Sequence, residues 1–346
     1  MGAELRGVRR ALELAKIFVA SRSFGKVVDD GLNLLGGEGE IIRNPHGRAL
    51  TSDDLQESLR DVDAALLGND VCDANVLEAA SRLKVISRHG IGVDSIDLRA
   101  ATENGIVVAN TPRVNATAVA EHTIALMFAI LRRIPDANLS LKSKKWEALK
   151  FVGEELAGKT LGIIGLGAIG KEVVKRAKAF GTNILYADKI RDMDLEKELG
   201  LSFVPLQNLL RESDIISIHV PLIPETRGLI GRKEIALMKK GAYLINTARG
   251  EIVDSDALAD GLQSGLLAGA ALDVFDTEPP DFASRLFNLE RIIMTPHIGA
   301  YTVEAIRKMD YVAAENITKV LHGQIPEYVV NREVLSRRNL RMRNPP

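Results

Sequence analysis

Across most of the chain, short runs of aliphatic and β-branched residues alternate with longer segments whose apolar positions recur at helical spacing. That alternation is the signature of parallel strands joined by helices. In the first third the apolar runs fall at 16–20, 64–67, 84–87 and 106–108, with helical segments at 51–59 and 75–83. Thr51 or Ser52 can cap the first of these helices. Asp53 and Asp54 occupy its opening turn, where a carboxylate meets the positive end of the helix dipole. A long apolar-rich helix at 116–133, ending near Pro135, separates this part from a second series of runs at 160–164, 183–187, 214–219, 242–246, 269–273 and 291–295. Six strands with intervening helices suffice for a complete doubly wound domain. A further helix is expected at 302–321, and the pattern leaves open which half it packs on. The segment 336–346 is basic, and a mobile tail is expected there.

The run at 160–164 leads directly into Gly165-Leu166-Gly167-Ala168-Ile169-Gly170, and a helix-period segment follows from Lys171. In a strand–GxGxxG–helix context the first glycine makes the tight turn and the second lets backbone approach a pyrophosphate. The third lets the helix pack closely on the strand. The helix N-terminus offers unpaired N–H groups and a positive dipole to the phosphates. Asp188 closes the next run, where its carboxylate can accept hydrogen bonds from the adenosine ribose and would repel a 2′-phosphate. The predicted cofactor is therefore NAD, although Lys189 and Arg191 stand close enough to weaken that preference.

Composition narrows the remaining classes. The chain has 346 residues, enough for two ordinary domains. With 45 basic against 46 acidic side chains and 4% aromatics, neither nucleic acid nor an anionic membrane is expected as a partner. No apolar stretch is long enough to cross a bilayer. The opening residues 1–16 are interrupted by Glu4 and Glu13 and are expected to form a frayed or helical extension rather than a targeting signal. Cys72 is the only cysteine, which excludes an internal disulfide and points to a reducing, cytoplasmic location. No histidine spacing resembles a metal cluster, so no metal is expected.

Three segments of the second half carry unusual chemistry just beyond strand ends, the edge at which open α/β sheets bind ligands. Arg249 follows the run at 242–246, two or three carboxylates including Asp276 and Glu278 follow 269–273, and His297 follows 291–295. Hydride transfer at an oxygen-bearing carbon needs a cation to hold the substrate and an acid/base to exchange the hydroxyl proton. Arginine's fork matches a carboxylate, histidine titrates near neutrality, and a neighbouring glutamate would orient the imidazole and favour its charged form. Spacing alone does not bring these residues together, since arginines after strands are commonly ion-pairers and most histidines are structural. His219 and His122 are read as packed side chains, and His46, His89 and His322 as turn residues.

At these positions the sequence resembles the D-isomer-specific 2-hydroxyacid dehydrogenases, most closely the phosphoglycerate dehydrogenase and hydroxypyruvate reductase branch. The stretches that carry the resemblance are 87–94, Asn110-Thr111-Pro112, 162–170, His219-Val220-Pro221-Leu222, 245–250, 271–280 and 296–300. The resemblance implies two doubly wound parallel-sheet α/β domains. A Rossmann cofactor domain at 112–299 would be inserted into a flavodoxin-like substrate-binding domain made of 1–111 and 300–346. Hinges would lie near 111–113 and 297–300, closing over substrate and cofactor.

It further implies that Arg249 binds the substrate carboxylate and carbonyl oxygen. His297 would exchange the proton, with Glu278 paired to its imidazole. Arg88 and the loop Gly90, Ile91 and Gly92 would meet the substrate. Cofactor contacts would come from Gly165, Gly167, Ala168, Ile169, Gly170, Asp188, Val220, Pro221, Thr247, Ala248, Asp273 and Ala300. Family members are commonly homodimers built through the inner domain, which would give 116–133 and Trp146 a contact role. Phosphoglycerate enzymes often carry an arginine in the loop that here reads Leu67-Gly68-Asn69-Asp70, so hydroxypyruvate, glyoxylate and other small 2-keto acids stay open as substrates. The resemblance also extends to NAD(H)-sensing transcriptional co-repressors of the same fold, an alternative reading in which partner binding replaces turnover.

Overall fold

The computed structural model describes residues 14–342. The expected extension over 1–13 and the last four residues of the tail lie outside them. The described chain divides into two compact units, one made of 14–114 and 303–342 and the other of 115–302.

The first unit carries strands β1 (Ala15–Val19), β2 (Gly39–Arg43), β3 (Ala64–Leu67), β4 (Val85–Arg88) and β5 (Val107–Ala109). They form a parallel sheet in the order β2-β1-β3-β4-β5, the flavodoxin-like doubly wound topology. Helices α1 (Asp30–Gly36), α2 (Ser52–Leu59), α3 (Ala74–Ala79) and α4 (Leu98–Glu103) connect them. The start of α2 is a capping box: the Asp54 N–H donates to Thr51 Oγ1, and the Thr51 N–H donates to Asp54 Oδ2 at 2.9 Å. Strand β2 was not expected. Its residues are half-buried or exposed at the sheet edge, so it lacks the continuous apolar run that marks a central strand.

The second unit opens with α5 (Ala116–Leu131) and α6 (Ile134–Lys142). Helix α5 takes up the helix expected at 116–133, ending two residues earlier, and α6 is a separate helix that was not expected. Arg132 caps α5, Arg133 turns left-handed at φ 52°, and Pro135 sits in the first turn of α6. Proline is well suited to that place because its missing N–H has no helical partner there. The unit continues through β6 (Thr160–Ile164), α7 (Ala168–Ala179), β7 (Asn183–Ala187), α8 (Met193–Leu199), β8 (Ser202–Phe203), α9 (Leu206–Glu212) and β9 (Ile215–Ile218). It ends with α10 (Arg232–Leu237), β10 (Ala242–Asn246), α11 (Ser255–Gln263), β11 (Leu267–Leu272) and β12 (Ile292–Met294). The sheet is parallel in the order β12-β11-β10-β9-β6-β7-β8, with strand order reversing between β6 and β9 as in a Rossmann domain. It has one strand more than the six expected, because β8 is two residues long and exposed.

The last helix, α12 (Val303–Leu321), belongs to the first unit. Its Ala313, Ala314, Ile317 and Val320 are buried with Ile17, Val19, Leu66 and Val85 of the first sheet. The tail is also corrected as far as it is described. Leu340 and Met342 are buried in that same core, and the Arg341 guanidinium donates to the carbonyls of Ala80 and Leu83. A basic segment docks here because its cation donates to carbonyls at and just beyond the C-terminal end of α3, where a positive charge meets the negative end of the helix dipole.

Candidate active site

The glycine loop sits at the switch point of the second sheet. Gly165 has φ +96°, and a Cβ there would lie 2.8 Å from the His219 carbonyl carbon, so only glycine keeps the loop this close to the end of β9. A Cβ on Gly170 would run into the Gly165 carbonyl. Around Gly167, by contrast, a Cβ would meet nothing within 4 Å, and no side chain caps α7 at this end. The N–H groups of Ala168, Ile169 and Gly170 therefore open a helix N-terminus beside open space, which fits the pyrophosphate of a dinucleotide. Asp188, after β7, accepts from the Leu166 N–H at 2.6 Å and from the Ile190 N–H at 3.1 Å. These bonds fix its carboxylate beside the glycine loop.

On the other side of the switch point, the chain after β9 carries Val220 and Pro221. The Pro221 carbonyl accepts from Thr226 Oγ1 at 2.6 Å, which ties down the turn. After β10, Thr247 is buried with its hydroxyl 3.0 Å from that of Thr123 on α5. The Ala248 N–H donates to Asn246 Oδ1 at 3.0 Å. These contacts set the path that leads to Arg249. Its guanidinium is half-buried and donates from one terminal nitrogen to the Ala248 carbonyl at 2.7 Å. Gly250 comes next, and its Cα lies so close to the Phe275 backbone that a Cβ would overlap it. That approach presses the Arg249 loop against the loop that carries Glu278.

His297 and Glu278 meet directly, with Nδ1 and Oε2 2.6 Å apart and both side chains about one-third exposed or less. The glutamate's other oxygen accepts the Phe275 N–H at 3.3 Å. With Nδ1 used in this way, Nε2 is the nitrogen left to face a reactant. His297 has φ 53°, an uncommon left-handed conformation for a non-glycine residue. It is held there by Asp273, buried at the end of β11. Oδ1 of Asp273 accepts the Ile298 N–H at 2.9 Å, and Oδ2 accepts the Gly299 N–H at 2.7 Å. A Cβ on Gly299 would come within 2.9 Å of that same Oδ2. Ala300, next along, accepts the Thr302 N–H at 3.0 Å.

Arg249, Glu278 and His297 thus follow the C-terminal ends of the adjacent strands β10, β11 and β12. The outer two of these strands are about 10 Å apart, at ~4.8 Å per strand.

Two members of this cluster were not singled out from the sequence. His122 on α5 lies 3.1 Å from Thr295 Oγ1 and 3.4 Å from Asp273 Oδ1, and Thr295 itself donates to Asp273. The burial that would raise the Asp273 pKa is outweighed by these hydrogen bonds, His122 first among them, and the carboxyl is held below its ordinary value. No local signal marks His122, because its partners lie more than 150 positions further along the chain. His219 is pushed down to about 3 by burial, with Nε2 2.9 Å from Ser217 Oγ, so it is neutral at the pH of use.

In the first unit the loop after β4 is braced from within. The Arg88 Nε donates to the Gly92 carbonyl at 2.9 Å, and its other nitrogens donate to the His89 carbonyl and the Asn69 side chain. Gly90 has φ +141°, and a Cβ there would run into this guanidinium. The Ile91 carbonyl accepts from Asn110 Nδ2 at 2.8 Å. Asp70, in the neighbouring loop, accepts the Leu50 and Gly68 N–H groups, both at 2.9 Å. Among the described residues, no group of three or more His, Cys, Asp or Glu could hold a metal ion, and no helix is long and apolar enough to cross a membrane.

Comparison with known proteins places these features in a family. The model of the NAD-binding domain of D-isomer-specific 2-hydroxyacid dehydrogenases matches residues 124–299. The D-3-phosphoglycerate dehydrogenase of Methanocaldococcus jannaschii is 45% identical over 305 residues, which cover 88% of this chain and 57% of that protein. The chain therefore matches little more than half of that relative's length. The glyoxylate reductase of Thermococcus litoralis is 44% identical over 290 residues, covering 82% of this chain and 87% of its own. Among solved structures, D-lactate dehydrogenase from Aquifex aeolicus, complexed with NAD and lactic acid, aligns with a TM-score of 0.82 at 30% identity, over 91% of this chain and 99% of its own. A glyoxylate reductase from Paecilomyes thermophila aligns with a TM-score of 0.82 at 31% identity, over 93% and 99%.

Proposed function

The chain belongs to the D-isomer-specific 2-hydroxyacid dehydrogenases and is an NAD-dependent oxidoreductase of that family, and from this premise we propose that it reduces a small, unphosphorylated 2-keto acid of the glyoxylate or hydroxypyruvate type. The observation that carries the reading is the His297–Glu278 pair at 2.6 Å, set beside Arg249 on the edge that also carries the glycine loop. NADH, when bound, supplies the hydride to the carbonyl carbon. Arg249 holds the substrate carboxylate and polarises the carbonyl, a task suited to a planar fork of donors. His297 gives the Nε2 proton to the carbonyl oxygen as the hydride arrives, and takes it back in the oxidative direction. Glu278 keeps Nδ1 engaged, so the ring is oriented and its tautomer set.

The first unit supports an unphosphorylated substrate. The loop at 67–70 contains no cation, Asp70 adds a negative charge to it, and the guanidinium of Arg88 is already engaged by the Gly92 and His89 carbonyls and the Asn69 side chain. We give Arg88 the task of shaping the loop of Gly90, Ile91 and Gly92.

A panel of glyoxylate, hydroxypyruvate, pyruvate and 3-phosphohydroxypyruvate with NADH, followed at the nicotinamide absorbance, tests the proposal. The two-carbon or three-carbon unphosphorylated acids should give the highest kcat/KM. Preference for the phosphorylated acid would remove the assignment of substrate. Tight NADH binding without turnover of any member would favour a cofactor-sensing protein.

We also propose that the enzyme is a homodimer built through α5 and the segment after it. Ile134, Leu139, Leu141, Trp146, Leu149 and Val152 are all more than half exposed, Trp146 at 87% and Leu149 at 90%. A run of this kind on one 19-residue stretch is far more apolar surface than scattered side chains usually present. Sedimentation should give twice the chain mass, and Trp146→Glu with Leu149→Glu should return it to the monomer mass. A wild-type monomer at micromolar concentration would rule the dimer out.

A further inference from the structure

The turn after β7 sets a puzzle. Asp188 disfavours a 2′-phosphate, yet Lys189 and Arg191 follow within three residues, and an arginine at this place is what dinucleotide domains use to accept NADP. The structure shows where that arginine goes. Its Nε donates to Glu196 Oε1 and one terminal nitrogen donates to Glu196 Oε2, both at 2.8 Å, so one edge of the fork is matched bidentately to one carboxylate. The guanidinium also lies 5.7 Å from the centroid of the Phe203 ring.

Glu196 is the fixed partner of the pair. Its side chain is 13% exposed, against 55% for Arg191. The buried Tyr186 donates its hydroxyl to Glu196 Oε1 at 2.7 Å, and that hydroxyl in turn accepts the Asp192 N–H at 2.9 Å. Glu196 is therefore held by the end of β7 and by its place on α8, and the arginine is drawn to it. The Arg191 guanidinium and then the Tyr186 hydroxyl hold the Glu196 carboxyl at about 2, so the pair stays charged across the neutral range. A second nearby cation is withdrawn similarly, since Lys171 on the first turn of α7 pairs with Asp192 at 2.7 Å. Lys189 stays exposed as a hydrated point charge, a poorer match to a phosphate than a fork.

We propose that Glu196 is a specificity-determining residue that selects NAD over NADP by sequestering Arg191. Asp188 repels a 2′-phosphate and Glu196 denies it the arginine that would receive it. The inference rests on dinucleotide binding at the glycine loop and deepens it, because it makes selectivity a property of two carboxylates rather than one. Removing Asp188 alone leaves the arginine clamped, and removing Glu196 alone frees the arginine beside a repelling carboxylate. Only the double change presents a free fork to the phosphate.

The test is a binding cycle read by calorimetry, with NADPH and NADH as probes and no turnover required. Asp188→Ser and Glu196→Gln should each tighten NADPH by only a few-fold. The double variant should gain about tenfold or more beyond the product of the singles, the scale of a coupling between groups in contact. Adding Arg191→Met to the double variant should abolish that excess, whereas Arg191→Met in the wild-type background should leave NADPH affinity where it was. Glutamine at 196 still accepts from Tyr186, so the turn keeps its anchor, and matching thermal midpoints identify any variant that has lost its fold. Additive effects in the double variant, or an excess that survives Arg191→Met, would overturn the proposal. Failure of the wild-type protein to bind NADH would instead strike at the dinucleotide site itself.

Discussion

Replacing His297 with alanine is expected to lower kcat by about 10²–10⁴, the usual contribution of a positioned general acid/base, while NADH titrates as it does with the wild-type protein. The size of the effect follows from how much structure is devoted to one imidazole. Its Nδ1 meets Glu278 at 2.6 Å, which leaves Nε2 as the only nitrogen that can exchange a proton with substrate. Its backbone is held at φ 53° by a turn whose next two N–H groups are both bound by Asp273. Backbone strain of this kind persists only where surrounding contacts over-determine it. Alanine removes the acid but keeps that turn, because the bonds from Ile298 and Gly299 are made by the backbone. The loss should therefore appear in turnover with the keto acid and not in the affinity for the cofactor. Steady-state rates alongside a binding titration read the two separately, and a variant that turns over at the wild-type rate refutes the role given to His297.

The second sheet was legible in the sequence because its central strands β6, β9, β10 and β11 are apolar runs buried on both faces and bounded by turn residues. The strands β6, β7 and β10 occupy the residues their composition marks. The elements that escaped notice are those whose residues carry little burial to advertise them. Strand β2 is partly exposed, β8 has two exposed residues, and α6 buries none of its nine. The docked tail was misread for a different reason. Its arginines suggested solvent, whereas Arg341 donates to the Ala80 and Leu83 carbonyls and leaves Leu340 and Met342 to fill the core.

At the site, residue types pointed to the chemistry but not to convergence. Arg249, Glu278 and His297 are neighbours because β10, β11 and β12 are adjacent in the sheet, and adjacency is a property of topology that no local pattern carries. The second ring of contacts was invisible for the same reason. His122 reaches Thr295 across 173 positions, and the close approach of Gly250 to Phe275 depends on backbone geometry alone.

The largest stability effect is expected at Asp310, a residue with no place in the chemistry. It lies on α12 in the first unit with 0% of its surface exposed. One oxygen is 2.7 Å from His89 Nε2 and the other accepts the Gly25 N–H at 2.9 Å. His89 is buried too, with Nδ1 3.1 Å from Ser21 Oγ and its ring edge-on to Phe24. The chain Ser21–His89–Asp310 thus ties the ends of β1 and β4 to the helix that covers them, through partners separated by as many as 221 positions. Asp310→Ala strips a buried imidazole and a buried N–H of their partner at once. Breaking a buried hydrogen-bonded pair from one side costs about 3–5 kcal/mol, because the group left behind has neither protein nor water to bond. Asp310→Asn should lose less, since its amide oxygen can still take the Gly25 N–H. His89→Phe combined with Asp310→Ala should cost less than the sum of the two single changes, because the second change removes a group the first has already orphaned. Denaturant midpoints, read with a probe in the first unit and at unchanged slope, compare the four variants with the wild type. An Asp310→Ala midpoint equal to wild type, or strictly additive losses in the double variant, would show that the pair does not hold this sheet to its helix.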